Sequence, residues 1–183
     1  SRGINVMMTS ESCMTGTDRV AECSDHIDTD VFINVQGDEP VFDPTDLTKL
    51  LKAIEQYPGE VLNGMCDIQF EEQFVSGSVP KVVARPDGRL LYMSRAGIPT
   101  TKKLEFSSAR RQVCSYVFPR SALDAYRSVD TKSPLEDIED IEILRFLELG
   151  WDVRMIQLSD QSIPVDLPED VPRVVQAIQD RNL

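Results

Sequence analysis

Three acidic or polar clusters in this sequence carry residue types able to do chemistry. The first is Gln36-Gly37-Asp38-Glu39-Pro40, which follows the apolar run Val31–Val35 (VFINV) without a break. A buried parallel strand that ends this way sets carboxylates just beyond its carboxyl end, where ligands bind in open α/β sheets. A carboxylate there can hold Mg²⁺, which takes one or two carboxylates and fills its shell with waters and substrate phosphates. The alternative is a polar turn in which Asp38 caps the chain reversal. The second cluster lies in Ile163–Asp170 (IPVDLPED). Asp166 sits between a strand-like segment and a helix start, so it could share a metal with Asp38 from a separate loop. Glu169 and Asp170 are accounted for as helix-start acids that complement the helix dipole. The third is Thr15-Gly16-Thr17-Asp18-Arg19. Small hydroxyl residues and a glycine ahead of a helix can offer backbone amides to a base or phosphate, although most such loops are only turns. Glu136, Glu139 and Glu142 read as a solvated helix face, and Cys66 and Cys114 as small core residues.

The elements that must hold these residues follow from periodicity. Ile4–Met8 reads as a short buried strand, and residues 9–17 as a loop. A short helix is expected from Asp18. Val31–Val35 suits a central strand covered on both faces. Asp43 then Pro44 starts a helix, with Leu47, Leu50, Leu51 and Ile54 as its apolar stripe and Tyr57-Pro58-Gly59 as its end. Val61–Gln69 is a strand. Val79–Arg85 and Arg89–Met93 flank Pro86-Asp87-Gly88 as a hairpin. Val113–Phe118 is a further strand. Ser133-Pro134-Leu135-Glu136 is a capping box that opens a helix running to Leu149, with Gly150 terminating it. Val153–Leu158 is a strand, and residues 168–180 a last helix. Alternating strands and helices predict an α/β layered fold, its sheet mostly parallel with an antiparallel hairpin excursion.

With 183 residues and 41% apolar composition, the chain suits one domain with a real core. Its 19 basic and 31 acidic side chains give a net charge of -12. That charge argues against nucleic acid and anionic membrane as partners, since both are polyanions. No apolar run reaches the ~18–20 residues of a membrane span. Cys13, Cys23, Cys66 and Cys114 have no CxxC spacing, and His26 is the only histidine. Zinc ribbons, redox pairs and His-rich metal sites are thereby disfavoured, and a reducing, cytoplasmic setting is expected. The chain enters an apolar run almost at once after Ser1, so the front of a larger protein is expected to be missing.

Six blocks in one order, TGTDRVAE, INVQGDEP, KVV, LYMSRAGIP, SPLEDIEDIEILRFLE and VDLPED, closely resemble the 3-deoxy-manno-octulosonate (Kdo) cytidylyltransferases, from Gly3 to the end. The resemblance implies a nucleotide-diphospho-sugar transferase-like fold in one domain over residues 1–183, in a homodimer. It implies coupling of CTP to a 2-keto sugar acid with Mg²⁺ as cofactor, giving the CMP-sugar and pyrophosphate. Asp38 and Asp166 match the metal-binding aspartates. Thr15, Gly16 and Arg19 fall in the nucleotide loop, and Gln36 lies near base and sugar. Ser94 and Arg95 match the lining of the sugar pocket, and Tyr116 and Glu142 match positions near the sugar acid. Asp38, Asp166 and Arg95 are the expected catalytic set.

Three departures qualify this. The family's initial strand and basic glycine-containing loop, which cradles the triphosphate, have no counterpart here, so the chain alone is expected to have little activity. Where family members typically have His-Leu-Gly-Ile-Tyr, this chain has Gln112-Val113-Cys114-Ser115-Tyr116. Gln112 thus replaces the sugar-contacting histidine, which leaves open a different keto acid such as an amino-Kdo or a nonulosonic acid. An inactive domain serving as a folded or oligomerisation module is the reading from another class. Finally, Leu167 replaces a threonine helix cap, a loss of about 1 kcal/mol in typical cases, and Pro172 displaces that helix start further.

Overall fold

The computed structural model describes residues 3–163, 165 and 168–181. The first helix, α1 (Gly16–Ser24), starts where Thr15 forms a capping box with Asp18. Strand β1 (Val31–Val35) follows, then α2 (Pro44–Gln56), capped by the Asp43 side chain and opened by Pro44. Next come β2 (Val61–Asp67), the short α3 (Glu71–Val75), and a hairpin of β3 (Lys81–Ala84) and β4 (Leu90–Ser94). Its turn contains Gly88 at φ 88°, a conformation that disfavours any side chain. Strand β5 (Arg110–Pro119) runs directly into α4 (Arg120–Arg127). Helices α5 (Pro134–Glu139) and α6 (Ile143–Glu148) precede β6 (Val153–Gln157). A 3₁₀ turn over Pro168–Asp170 leads into α7 (Val171–Arg181), so this helix does begin late, with Pro172 in its first turn.

All six strands form one sheet, in the order β4-β3-β5-β2-β6 with β1 added on β5. β2 takes one edge of β5, and β1 and β3 share the other edge end to end. β1, β2, β3 and β6 point the same way, while β4 and β5 oppose them. The sheet is therefore mostly parallel in direction. Because the reversed β5 lies at its centre, however, only β2 and β6 form a parallel ladder. Helices cover both faces. Tyr116 and Phe118 of β5 pack with Ala21, Leu123, Tyr126, Leu144 and Phe146. On the other face Val113 and Val117 pack with Leu50 and Ala53 of α2 and with Leu158. The alternation of β5 thus serves two cores at once.

Several expectations change. Ile4–Met8 is not a strand: no strand pairs with it among the described residues, and Val6 is 83% exposed. An apolar pattern alone does not make a strand without an edge to bond. β1 is not a central strand: it pairs with β5 alone and ends at the exposed Val35, although its two faces do pack, Phe32 in one core and Val31 and Ile33 against the other. In α2, Leu47 and Leu51 are exposed, whereas Asp46 is buried and accepts the Ser159 amide and hydroxyl. The helix expected from Ser133 to Leu149 is two helices. The chain breaks at Asp140, in the left-handed region at φ 51°. Gly150, at φ 82°, ends the second as expected.

Candidate functional site

The break at Asp140 explains the three glutamates expected on a solvated face. Each is an anchor to a different element. Glu136 is fully buried and takes both Arg145 Nε and Nη2, at 2.5 and 2.7 Å, together with the Tyr126 hydroxyl at 2.9 Å. Glu139 accepts from Ser94 Oγ at 2.6 Å, from the Arg95 amide at 2.9 Å and from Tyr92 Oη at 3.2 Å. Glu142 reaches the first turn of α1. It accepts from the amides of Gly16 (3.0 Å) and Thr17 (2.9 Å) and from the Thr17 hydroxyl. A helix α5–α6 without the break would have kept them on one stripe.

Around Glu142 the structure gathers most of the expected site. Thr15 caps α1, with its hydroxyl 3.2 Å from Tyr126 Oη. Gln36, just past β1, lies beside Gly16: a methyl group placed on that glycine would stand 3.5 Å from both Gln36 Nε2 and Glu142 Oε1. From β5, Gln112 donates to Asn63 Oδ1 at 2.9 Å and to Tyr116 Oη at 3.4 Å. Asn63 in turn donates to the Val113 and Ser115 carbonyls at 3.1 and 3.0 Å. The β2–β5 register shifts between Asn63 and Gly64, and this amide ties the two β5 carbonyls beside the irregularity to β2. Asp38 is exposed on the turn after β1, while Glu39 is buried. Glu39 accepts the Cys114 amide at 3.3 Å and the Ser162 hydroxyl, and the Val165 amide donates to the Asp38 carbonyl at 2.9 Å. These bonds tie Ser162 and Val165 to the QGDEP turn. Asp166 and Leu167 lie outside the described residues.

Burial, more than the neighbouring acids, sets the protonation of the groups gathered here. Burial, followed by the proximity of Cys114 and of the Glu142 carboxylate, holds the Tyr116 phenol well above its ordinary value. Burial and then Glu39 push the Cys114 thiol up to about 12, with Asp38 and Glu142 adding to the effect. Both groups therefore stay protonated at neutral pH. Cys66 is a core residue as expected, and Cys114 packs against the core while staying half-buried on the side that faces these acids. Neutral donors beside carboxylates suit a ligand rich in hydroxyls together with a cation.

Three expected residues stand elsewhere. Arg19 reaches the Thr9 hydroxyl at 2.7 Å and the Ser10 carbonyl. Ser94 and Arg95 belong to the Glu139 cluster. The Arg95 guanidinium donates to the carbonyls of Gly77, Glu139 and Asp140, which fixes the hairpin to the α5–α6 break. Lys81, fully buried, completes this cluster through the Ser76 and Arg95 carbonyls. Burial, with the Arg95 charge second, lowers its pKa. Sequence reasoning missed Asn63, Lys81 and Glu39. Asn63 and Lys81 carried a signal, as polar residues inside or opening otherwise apolar strands. Among the described residues no group of three or more His, Cys, Asp and Glu could hold a metal ion, and no helix is long and apolar enough to cross a membrane.

A three-layer α/β molecule with a cluster of acids and neutral donors gathered beyond the end of β1 has the build of a nucleotidyltransferase. The cytidylyltransferase family model matches residues 1–156, and the chain belongs to that family. The 3-deoxy-manno-octulosonate cytidylyltransferase of Acidobacterium capsulatum is 36% identical, over 98% of this chain and 73% of its own length. That of Geotalea daltonii is 34% identical, over 95% and 73%. A solved CMP:2-keto-3-deoxy-manno-octonic acid synthetase, complexed with CTP, superposes with a TM-score of 0.87 at 30% identity, covering 99% of this chain and 74% of the other.

Proposed function

We propose that this chain carries out cytidylyl transfer from CTP to 3-deoxy-manno-octulosonate, releasing pyrophosphate. The observation that carries this is the likeness to a CTP-bound synthetase across 99% of the chain. The anomeric hydroxyl of the sugar attacks the α-phosphorus, the bond from that phosphorus to the bridging oxygen breaks, and pyrophosphate leaves. One sheet running through the chain supports reading residues 1–183 as a single domain.

Thr15, Gly16, Arg19 and Gln36 are the nucleotide-side residues in this reading. Gln36, Gln112, Tyr116 and Glu142 are the sugar-side residues, while Ser94 and Arg95 serve this reading only from the Glu139 cluster, where three carbonyls hold the Arg95 guanidinium. Asp38 and Asp166 would hold Mg²⁺. The fit is supported by an oxygen-only donor pair and by the Val165–Asp38 hydrogen bond, which brings the residue before Asp166 alongside Asp38. The ion supplies charge neutralisation at the phosphoryl oxygens and a lower pKa for the attacking hydroxyl. Around it, Tyr116 and Gln112 orient hydroxyl groups by donating to or accepting from them, and Gln36 bridges the two substrates. A homodimer in the cytoplasm completes the proposal, and sedimentation tests its first part.

Pyrophosphate release from the full polypeptide with CTP and a panel of keto sugar acids is the decisive assay. Mg²⁺-dependent release with Kdo is expected, and Asp38→Asn or Asp166→Asn should each abolish it while leaving the fold intact. A second reading, a different keto acid, is favoured by Gln112, which is bound to Asn63 and Tyr116. If Gln112→His leaves relative use of the sugars unchanged, Gln112 does not select the sugar. No release with any sugar acid would overturn the function.

A further inference from the structure

The first turn of α1 looks at first like an anion site awaiting a phosphate, since helix N-termini present free amides. Here the position is already filled from within the chain. Glu142 places one carboxylate oxygen on the Gly16 amide at 3.0 Å and the other on the Thr17 amide at 2.9 Å, and it also accepts the buried Thr17 hydroxyl. The same turn is held a second time from α6: Arg145 Nη1 lies 3.3 Å from Asp18 Oδ1. Arg145 is itself fixed by Glu136, and Glu136 by Tyr126, whose hydroxyl lies beside Thr15.

We propose that Glu142 is a positioning residue for nucleotide binding: its carboxylate is the built-in anion of the α1 N-terminus and sets the place of Thr15 and Gly16 beside Gln36. A group already taking three hydrogen bonds from α1 acts through that loop. CTP phosphate is thereby kept off these amides, and the loop meets the nucleotide by its Thr15–Gln36 side. This rests on the cytidylyltransferase reading and refines it, because Glu142 then governs the nucleotide as well as any sugar beside it.

The test separates the two roles. Amide hydrogen exchange at Gly16 and Thr17 is followed in the free protein, and CTP binding is measured by calorimetry with Mg²⁺ and no sugar. Glu142→Gln keeps the size but turns an NH₂ toward one of the amides. The expected result is faster exchange at both amides and CTP affinity lower by about tenfold, the order of one lost charge-assisted hydrogen bond. The sugar KM at saturating CTP is read on Thr17→Val, which leaves every sugar-side residue in place, and should stay within about twofold there, against roughly tenfold for a lost direct contact. Thr17→Val removes only the hydroxyl, touches no substrate in this arrangement, and should weaken CTP binding in the same direction. It carries the test alone if Glu142→Gln does not fold. Unchanged CTP affinity in both variants, or a raised sugar KM with unchanged CTP affinity, would overturn the proposal while the enzyme's function stands. A wild-type protein that binds no CTP would overturn the function together with it.

Discussion

Arg145→Met should be among the most damaging single substitutions in the protein, and the structure gives the magnitude. Arg145 and Glu136 are both fully buried. The substitution takes two donors from Glu136, at 2.5 and 2.7 Å, and removes a cation that also lies 3.7 Å above the Tyr126 ring and 3.3 Å from Asp18. Glu136 keeps only the Tyr126 hydroxyl, the Ser133 amide and weaker contacts. Removing one partner of a buried ion pair costs about 3–5 kcal/mol, since a charge is left without compensation. A domain has a total stability on the order of 5–15 kcal/mol. For a chain this long, each kcal/mol moves Tm by roughly 2–4 °C, so a fall of roughly 6–20 °C is expected. The assay is a double-mutant cycle with Glu136→Gln, read by urea denaturation. Glu136→Gln keeps the size but discards the charge that Arg145→Met strands. The double variant should therefore be more stable than the sum of the singles by about 1–3 kcal/mol. Additivity within ~0.5 kcal/mol would refute the reasoning, because it would mean the two groups do not depend on each other.

Three further outcomes are expected. Gly64→Ala should cost about 1–3 kcal/mol of stability by overpacking, since the added methyl would lie 2.5 Å from Leu158 Cδ1 and 3.0 Å from the Val113 carbonyl; a wild-type urea midpoint would contradict this. In the folded protein at pH 8, iodoacetamide should spare Cys66 and Cys114, whose thiols sit at about 11 and about 12 chiefly through burial, while unfolding should open all four cysteines; mass spectrometry reads the difference, and native labelling of Cys114 would count against its surroundings. Burial alone would raise the Glu139 carboxyl, but hydrogen bonds from Ser94, the Arg95 amide and Tyr92 hold it below its ordinary 4.5. The unfolded state then binds more protons below that pH, so this contribution is whole above about pH 4.5 and is lost as pH falls through the folded value. Glu139→Gln should flatten the acid limb of the stability curve, and an unchanged limb would disprove the assignment.

The sequence by itself determined what is local. The Asp43-Pro44 start, the Gly88 turn, the Ser133–Glu136 capping box and the Gly150 stop each rest on chemistry within a few residues, and each is where it was expected. The QGDEP turn, the TGTDR loop and the other blocks also sufficed to identify the family, because their order survives without knowing any distance. Tertiary structure alone decided the partners. Nothing in the spacing of Glu136, Glu139 and Glu142 separates three anchors from one wet face, since the left-handed Asp140 that redirects them is stabilised only by contacts made after folding. Asp46, off the apolar stripe of α2, is buried because Ser159 comes from the far end of the chain to use it. The reversed central β5 was equally invisible: strand patterns record which residues are buried, and burial is the same in either direction. Ile4–Met8 shows the converse, an apolar run with strand character but no edge to pair with among the described residues. Hydrogen bonds along a strand belong to two segments, and a sequence pattern describes only one of them.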